Sequence, residues 1–583
     1  MSPTIKHIFD CHMDDRGFLS NSSSHNNNQD DADDDDSGPD VNLASGPFCS
    51  HDDDLRQDNY QQVMLQTHLA TTNVSLLGFC KLNLTHRWPN SWLGVPFDRL
   101  LSWLSSTKDA STLPPPPLPP FTLDLLSVKQ RLAYDIVAKH SFGGLQEDHL
   151  LMIVLGTAGT GKSFLINAIR HMFTLHSQPD RVRITALTGI AATNICGSTI
   201  HSLLSLLNEN LSGSHLNSLQ MSLADVRLLV IDEYSFLSIP LFVALDRQLR
   251  KIFPAKADKP FGGMNIVLCR DPAQLAPVHS QPVYARQTNS CPQPTCFHLF
   301  RTVVELDQPF QQTGTDTTQV RFHELLRRVA HCHADEHDWQ WLQSHRPSSL
   351  TSAENAMFNG HKHIVATDEV CAKLNKRQLA KLLPIMSVPP SGDGARNIDP
   401  NDYNDDDSFT NDDDSFTNNG PQLYAIGAEV MLTANLWTEA GLVNGSCGII
   451  DNIIKPEDDR IAHIVMVNFL GYRGPSLSPS RLNVVPVTQI RTTNSNRFPL
   501  SLAWAITIHK SQGMTLDRIT VDLGCNKFAS GLTFVALSHM RTFGGLRVEP
   551  FDFSRFKRIE RGRHVEARHD EFECLHRLAH NPP

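Results

Sequence analysis

No uninterrupted apolar run of about 18 residues occurs in the chain's 583 positions, so no membrane span is expected. The opening segment, Met1–Arg16, carries Asp10, Asp14 and Asp15. It lacks both the apolar core of a secretion signal and the Arg-rich amphipathic pattern of a mitochondrial presequence, and both destinations are disfavoured. The 12 cysteines are scattered rather than clustered. That distribution suits reduced thiols, not a disulfide framework. Glutamate is absent from the first 60 residues, which hold fourteen Asp against only Lys6, Arg16 and Arg56.

That acidic tail accounts for the whole formal net charge of −11. A second acidic stretch, residues 391–420, sets nine Asp against Arg396. The rest of the chain is left at about +8, a sign suited to a phosphate-binding surface and common on a body of this size.

Residues 21–40 are Ser, Asn and Asp with almost no apolar residue. They cannot offset their ordering entropy, so residues 1–60 are expected to be a disordered tail. Residues 61–120 form an accessory region with Trp88, Trp92 and Trp103, ending in the run Leu113-Pro-Pro-Pro-Pro-Leu-Pro-Pro120. The run reads as a stiff linker.

Beyond Phe121, short apolar runs alternate with longer amphipathic ones. Leu150–Leu155, Val182–Leu187, Leu228–Ile231, Asn265–Leu268, His363–Ala366 and Ile519–Leu523 read as buried strands. Helical segments between them imply crossovers and parallel sheets covered on both faces, an α/β fold. Residues 421–495 differ, with Glu429–Leu432, Gly448–Ile454 and Ile461–Phe469 packed close in sequence, and read as a small inserted antiparallel barrel. Just before it stands a duplicated heptapeptide, Asn404–Thr410 and Asn411–Thr417, read as a solvated loop within the disordered insert 391–420.

The strongest chemical signal is Gly156, Thr157, Ala158, Gly159, Thr160, Gly161, Lys162 and Ser163, placed between a strand and an amphipathic run. Phosphate binding needs successive backbone N–H groups aimed at one point, and glycine permits the tight turns. The following helix adds its positive end. Lys162 is placed for the β- and γ-phosphates of ATP, and the Ser163 hydroxyl for Mg²⁺. Further on, the apolar strand Leu228–Ile231 ends in Asp232 and Glu233. The first can hold Mg²⁺ and the second can deprotonate an attacking water. Cys291, Cys296 and His298 offer three zinc ligands without a fourth, and no zinc site is expected there.

Several further blocks make the pattern specific. Gln130 lies in Ser127-Val-Lys-Gln-Arg-Leu-Ala-Tyr134. Others are Thr185-Ala-Leu-Thr-Gly-Ile-Ala-Ala192, Gly197-Ser-Thr-Ile-His-Ser202, Pro260-Phe-Gly-Gly-Met-Asn-Ile-Val267, Gly441-Leu-Val-Asn-Gly-Ser-Cys-Gly448 and Leu502-Ala-Trp-Ala-Ile-Thr-Ile-His-Lys-Ser-Gln-Gly-Met-Thr515. In this order, from about Phe121 to Phe556, they resemble the petite-integration-frequency (PIF) family of DNA helicases, especially its fungal and Helitron-type members.

The resemblance implies two RecA-like P-loop domains clamping ATP. The first spans 121–300. The second is split into 301–390 and 496–556 by the insertion, and a basic tail follows at 557–583. It implies an adenine-reading Gln130 and a γ-phosphate-sensing Gln274. DNA contacts are implied at Thr188, Gly189, His201, His509, Lys510, Ser511 and Gln512. By the same resemblance the chain is a nuclear monomer moving 5′ to 3′ on single-stranded DNA and unwinding duplex, in telomere maintenance, repair and recombination.

The sequence departs from that family at the phosphate-facing positions. In Cys269-Arg-Asp-Pro-Ala-Gln274, Arg270 stands for a Gly and Pro272 for an aromatic residue. If the Gly served a positive φ, Arg270 would be strained by about a kcal/mol. Gln311 and His539 stand where the family carries arginines reaching the γ-phosphate. Such arginines supply about 10³–10⁵ in rate, so a chain that binds ATP and DNA but hydrolyses slowly is the alternative expectation.

Overall fold

A computed structural model of the chain describes residues 86–111, 113, 121–143, 149–157, 159–206, 213–274, 277, 280–284, 296–307, 316–330, 333–388, 421–456, 463–491, 496–514, 516–524, 531–554 and 563–580, with side chains in the last segment from 570 onward. The acidic tail, the proline run, the duplicated heptapeptide, Ala158, Cys291 and Gln311 lie outside these residues.

The first lobe is a six-stranded parallel sheet. Its order is Ser198–Thr199, Val182–Ala186, Leu228–Asp232, Asn265–Arg270, Leu151–Gly156 and Thr302–Leu306. Leu151–Gly156 and Leu228–Asp232 are buried at every position, as strands covered by helices on both faces must be. One face packs Leu165, Ile169 and Phe173 of the helix Lys162–Leu175. The other packs Phe242, Leu245 and Leu249 of the helix Ile239–Ile252.

The second lobe is a four-stranded parallel sheet ordered Ala505–Thr507, Lys362–Val365, Ile519–Asp522 and Leu546–Val548. Both parallel sheets agree with the α/β reading. The boundary between lobes does not, because Thr302–Leu306 pairs with Leu151–Gly156 and belongs to the first lobe. Its register places Val303 and Val304 in the first-lobe cores, which decides its membership.

The insertion is a five-stranded antiparallel ladder ordered Val484–Val487, Ile464–Phe469, Cys447–Ile454, Glu429–Leu432 and Leu500–Leu502. Among the described residues its two outer strands do not pair with each other, so the expected barrel is open there. It also begins earlier than the sequence suggested. Ile385–Val388 pairs with Gln422–Ala425 across the acidic insert, and both pack into the insertion's core.

The accessory region, unassigned from sequence, covers this ladder. Trp92 and Leu100, the latter from the helix Phe97–Ala110, pack against Ile454, Ile464, Met466 and Val484. The Trp92 indole Nε1 donates to Asp451 at 2.9 Å. Trp92→Ala is expected to destabilise the ladder by about 3–5 kcal/mol. The check is amide exchange, which should accelerate in 447–454 and 464–469 and stay unchanged in 151–156.

Candidate nucleotide and nucleic-acid site

The phosphate loop leaves the buried strand Leu151–Gly156 and enters the helix Lys162–Leu175. Gly159 and Gly161 have φ of 85° and 83°, conformations that side chains rarely adopt. A Cβ on Gly156 would collide with the Thr160 hydroxyl, so the cradle closes only with glycine there. Thr160 Oγ1 donates to the Thr157 carbonyl at 2.8 Å, and Lys162 Nζ donates to the Gly156 carbonyl at 2.6 Å. Lys162 therefore projects into the loop's own concavity.

Gln130 is placed at the loop but is not open to a base. Its Nε2 donates to the Thr160 and Gly161 carbonyls at 3.2 and 3.3 Å, and its Oε1 accepts from Ser127 N–H at 3.0 Å. Both amide ends are used, and the side chain is fully buried. The reason is local: Ser127 and Gln130 form a capping box at the start of Val128–Phe142, which turns the amide inward. In this structure Gln130 braces the phosphate loop, a correction to the adenine-reading expectation.

Asp232 and Glu233 end their strand at the carboxyl edge of the sheet, where ligands of open α/β sheets bind. Both are buried. Burial raises the Asp232 carboxyl, with Lys162 opposing the shift. Burial first, then the neighbouring Asp232, pushes Glu233 up to about 7. Asp271 adds to that rise, while Lys162 and Gln274 oppose it. Glu233 sits at φ 57°, a left-handed conformation at which the strand gives way to the turn Tyr234–Phe236.

Gln274 Nε2 donates to Glu233 Oε1 at 3.0 Å, and the Ser235 hydroxyl donates to Gln274 Oε1 at 3.3 Å. This relay fixes the amide and leaves Glu233 Oε2 without a hydrogen-bond partner. A carboxylate poised near neutral pH with one unpaired buried oxygen is suited to accept a proton. The donor set also fits Mg-nucleotide: a glycine-shaped cradle, an exposed Ser163 hydroxyl and a buried Asp232 carboxylate near Lys162.

Arg270 is not strained, because it closes the extended strand Asn265–Arg270 and its φ is not positive. Its guanidinium is instead 1% exposed and meets Glu571 Oε2 at 2.7 Å. Tyr234 O–H donates to Glu571 Oε1 at 3.3 Å, and the guanidinium lies over the Tyr234 and Tyr284 rings at 5.2 and 4.6 Å. Glu571 comes from the helix Arg563–His580, which the sequence suggested was only a basic tail. That helix docks on the first lobe, with Leu575 in its core. It therefore grips Tyr234, next to Glu233, and Arg270, next to Asp271. Sequence reasoning missed Glu571. The available signal was an arginine inside an apolar strand, which requires a buried acid somewhere.

The strand-contact candidates divide. Thr188 caps the helix Gly189–Asn194, its hydroxyl accepting from Ala191 N–H at 3.3 Å. His201 is half-buried, His509 exposed and Lys510 half-buried. Gly189, Ser511 and Gln512 are buried and not open to a polynucleotide here. A Cβ on Gly189 would lie 2.8 Å from Asn435 Oδ1, so the glycine serves close packing on the insertion. Ser511 Oγ donates to the Ile508 carbonyl at 2.8 Å, a turn bond that points it inward. Gln512 is 6% exposed with neither amide atom hydrogen-bonded.

The two lobes meet at this point, where Asn194 Nδ2 donates to the Gly513 carbonyl at 2.8 Å. His539 is buried and its Nδ1 donates to the Met514 carbonyl at 2.8 Å. Burial holds its pKa down to about 4, so the ring is neutral at pH 7, not partly charged.

Residues 125–338 match a family described as PIF1-like helicase. Over 407 residues the chain is 32% identical to the ATP-dependent DNA helicase PIF1 of Mus musculus, covering 68% of this chain and 57% of the mouse protein. With the Homo sapiens protein of the same name it shares 30% over 409 residues, covering 68% and 58%. The chain thus spans less than two thirds of these curated relatives. Among solved structures it superposes on a Pif1 helicase from Candida albicans with a TM-score of 0.54 at 23% identity, covering 77% of this chain and 99% of that one. A Bacteroides Pif1 in complex with ADP-AlF3 and ssDNA gives 0.53 at 22% identity, covering 77% and 97%. These structures share the fold.

Three outcomes follow from the geometry. Glu233 must be ionised to act as a base, so kcat/KM for ATP should rise with pH through about 7 and level off above it. Glu233→Gln should cut turnover by about 10²–10⁴ and abolish that limb. Glu571→Gln leaves the Arg270 charge buried without its partner and should cost about 3–5 kcal/mol of first-lobe stability, read by urea unfolding.

Proposed function

We propose that this chain, which carries a PIF1-like helicase domain homologous to the PIF1 ATP-dependent DNA helicases, is itself a DNA helicase driven by ATP. The observation that carries the reading is a juxtaposition. A phosphate loop with its carboxylate pair sits in one lobe, and the segments Thr188–Asn194 and His509–Gly513 from opposite lobes are joined by the Asn194–Gly513 hydrogen bond.

The chemistry follows from the residues. The loop's N–H groups and Lys162 hold the triphosphate. Ser163 and Asp232 would hold magnesium, which when bound neutralises triphosphate charge. Glu233, oriented by Gln274, takes the proton of the attacking water. The water oxygen bonds to the γ-phosphorus as the bridging bond to ADP breaks, inorganic phosphate leaves, and the lobes part. Repeated closure and opening moves one strand-gripping surface relative to the other. The grip on phosphates and stacked bases is sequence-tolerant and salt-sensitive. A monomer moving 5′ to 3′, working in the nucleus on telomeres, repair and recombination intermediates, is the setting that accords with the family resemblance.

A second reading is favoured by one observation: His539, neutral and buried, cannot stabilise charge on the transferring phosphoryl group. In that reading the chain binds Mg-ATP and DNA and hydrolyses slowly.

The helicase reading predicts turnover of ATP stimulated by single-stranded DNA, unwinding of 5′-tailed but not 3′-tailed duplexes, and loss of both in Lys162→Ala. Gln311→Arg/His539→Arg separates the readings. A double variant no faster than wild type supports the motor, and a gain approaching about 10³ supports the slow binder.

A further inference from the structure

We propose that Glu305, His576 and His580 form a transition-metal site, best suited to zinc, that fastens the C-terminal helix to the edge strand of the first lobe. His576-Arg-Leu-Ala-His580 places two imidazoles four residues apart, hence on one helical face. Their ring centroids are 4.2 Å apart. Glu305, on the strand Thr302–Leu306, supplies a carboxylate from the other side. One donor atom from each of the three lies within 4.8 Å of the others. Bonds of about 2.0–2.1 Å in a tetrahedral arrangement require donors about 3.3 Å apart. Reaching that spacing requires the 2.7 Å His576–Glu305 contact to open and the third donor to swing in.

The site is prepared by its surroundings. His576 Nδ1 already meets Glu305 Oε2 at 2.7 Å, and the His576 ring stacks on Phe572 at 5.8 Å between centroids. His580 Nδ1 donates to the His576 carbonyl at 2.9 Å, which fixes that ring and leaves Nε2 as its donor. The helix backbone is held by buried Leu575 and by the Glu571–Arg270 pair. Two imidazoles and one carboxylate suit zinc better than magnesium or calcium, which prefer oxygen donors.

Three protein donors leave the fourth position of a tetrahedral ion to water, and the site anchors the helix without hydrolytic machinery. A zinc hydrolase helix carries a Glu directly after its first His to act as base, whereas Arg577 stands there and donates to the Glu573 carbonyl at 3.2 Å. Its consequence lies one turn and more along the helix, where Glu571 holds Arg270 beside Asp271. A metal that fastens residues 576–580 also secures that contact.

The test uses the full chain, stripped with a chelator, kept reduced and titrated with zinc chloride by calorimetry. Wild type should bind one more zinc equivalent than His580→Ala. Glu305→Gln, which preserves the strand, should weaken that equivalent by about tenfold or more. Zinc should also slow amide exchange of residues 570–580 in wild type and not in His580→Ala. Equal stoichiometry and affinity in all three proteins, or unchanged exchange in wild type, would overturn the proposal.

Discussion

Three carboxylates buried at the end of a parallel sheet set the terms for the rest of this molecule. Asp232, Glu233 and Asp271 lie close enough for each of the others to raise the proton affinity of Glu233. Lys162 is the cation that opposes this. Such a cluster is costly unless charge is exchanged with a ligand. The glycine-shaped cradle, the Gln274 relay and the helix that grips Arg270 all hold this cluster in place. Its electrostatic imbalance is what the positive charge of a bound magnesium ion would relieve.

Much of the fold was legible because buried parallel strands are written as continuous apolar runs. Leu151–Gly156, Leu228–Asp232 and Ile519–Asp522 fall within a residue of the expected bounds. Thr302–Leu306 was misplaced for an equally physical reason. Glu305 interrupts its apolar run, and which sheet an edge strand joins depends on pairing that no local pattern records. The accessory segment was illegible because Trp92 and Leu100 pack against the distant ladder residues Ile454, Ile464, Met466 and Val484.

The candidate site divides in the same way. The phosphate loop, Asp232, Glu233 and Gln274 were readable because their chemistry depends on local geometry. Gln130, Gly189, Ser511 and Gln512 were read as ligand contacts, yet they are buried and engaged in or enclosed by the protein. Their surroundings come from a capping box, a close approach to Asn435 and a turn bond, which spacing alone does not reveal. Arg270 reads as damage in isolation. Its partner, Glu571, converts it into the anchor of a helix that the composition marked only as basic.

The proposed function requires the nucleotide pocket and a polynucleotide grip to act as one thermodynamic unit, joined where Asn194 meets Gly513. The most direct measurement is the Kd for a single-stranded oligonucleotide at fixed salt, with and without a non-hydrolysable ATP analogue and magnesium. A coupling of about 1–3 kcal/mol predicts a change of about 5–150-fold, with an equal reciprocal change in analogue affinity. Identical Kd values in the two conditions would contradict it.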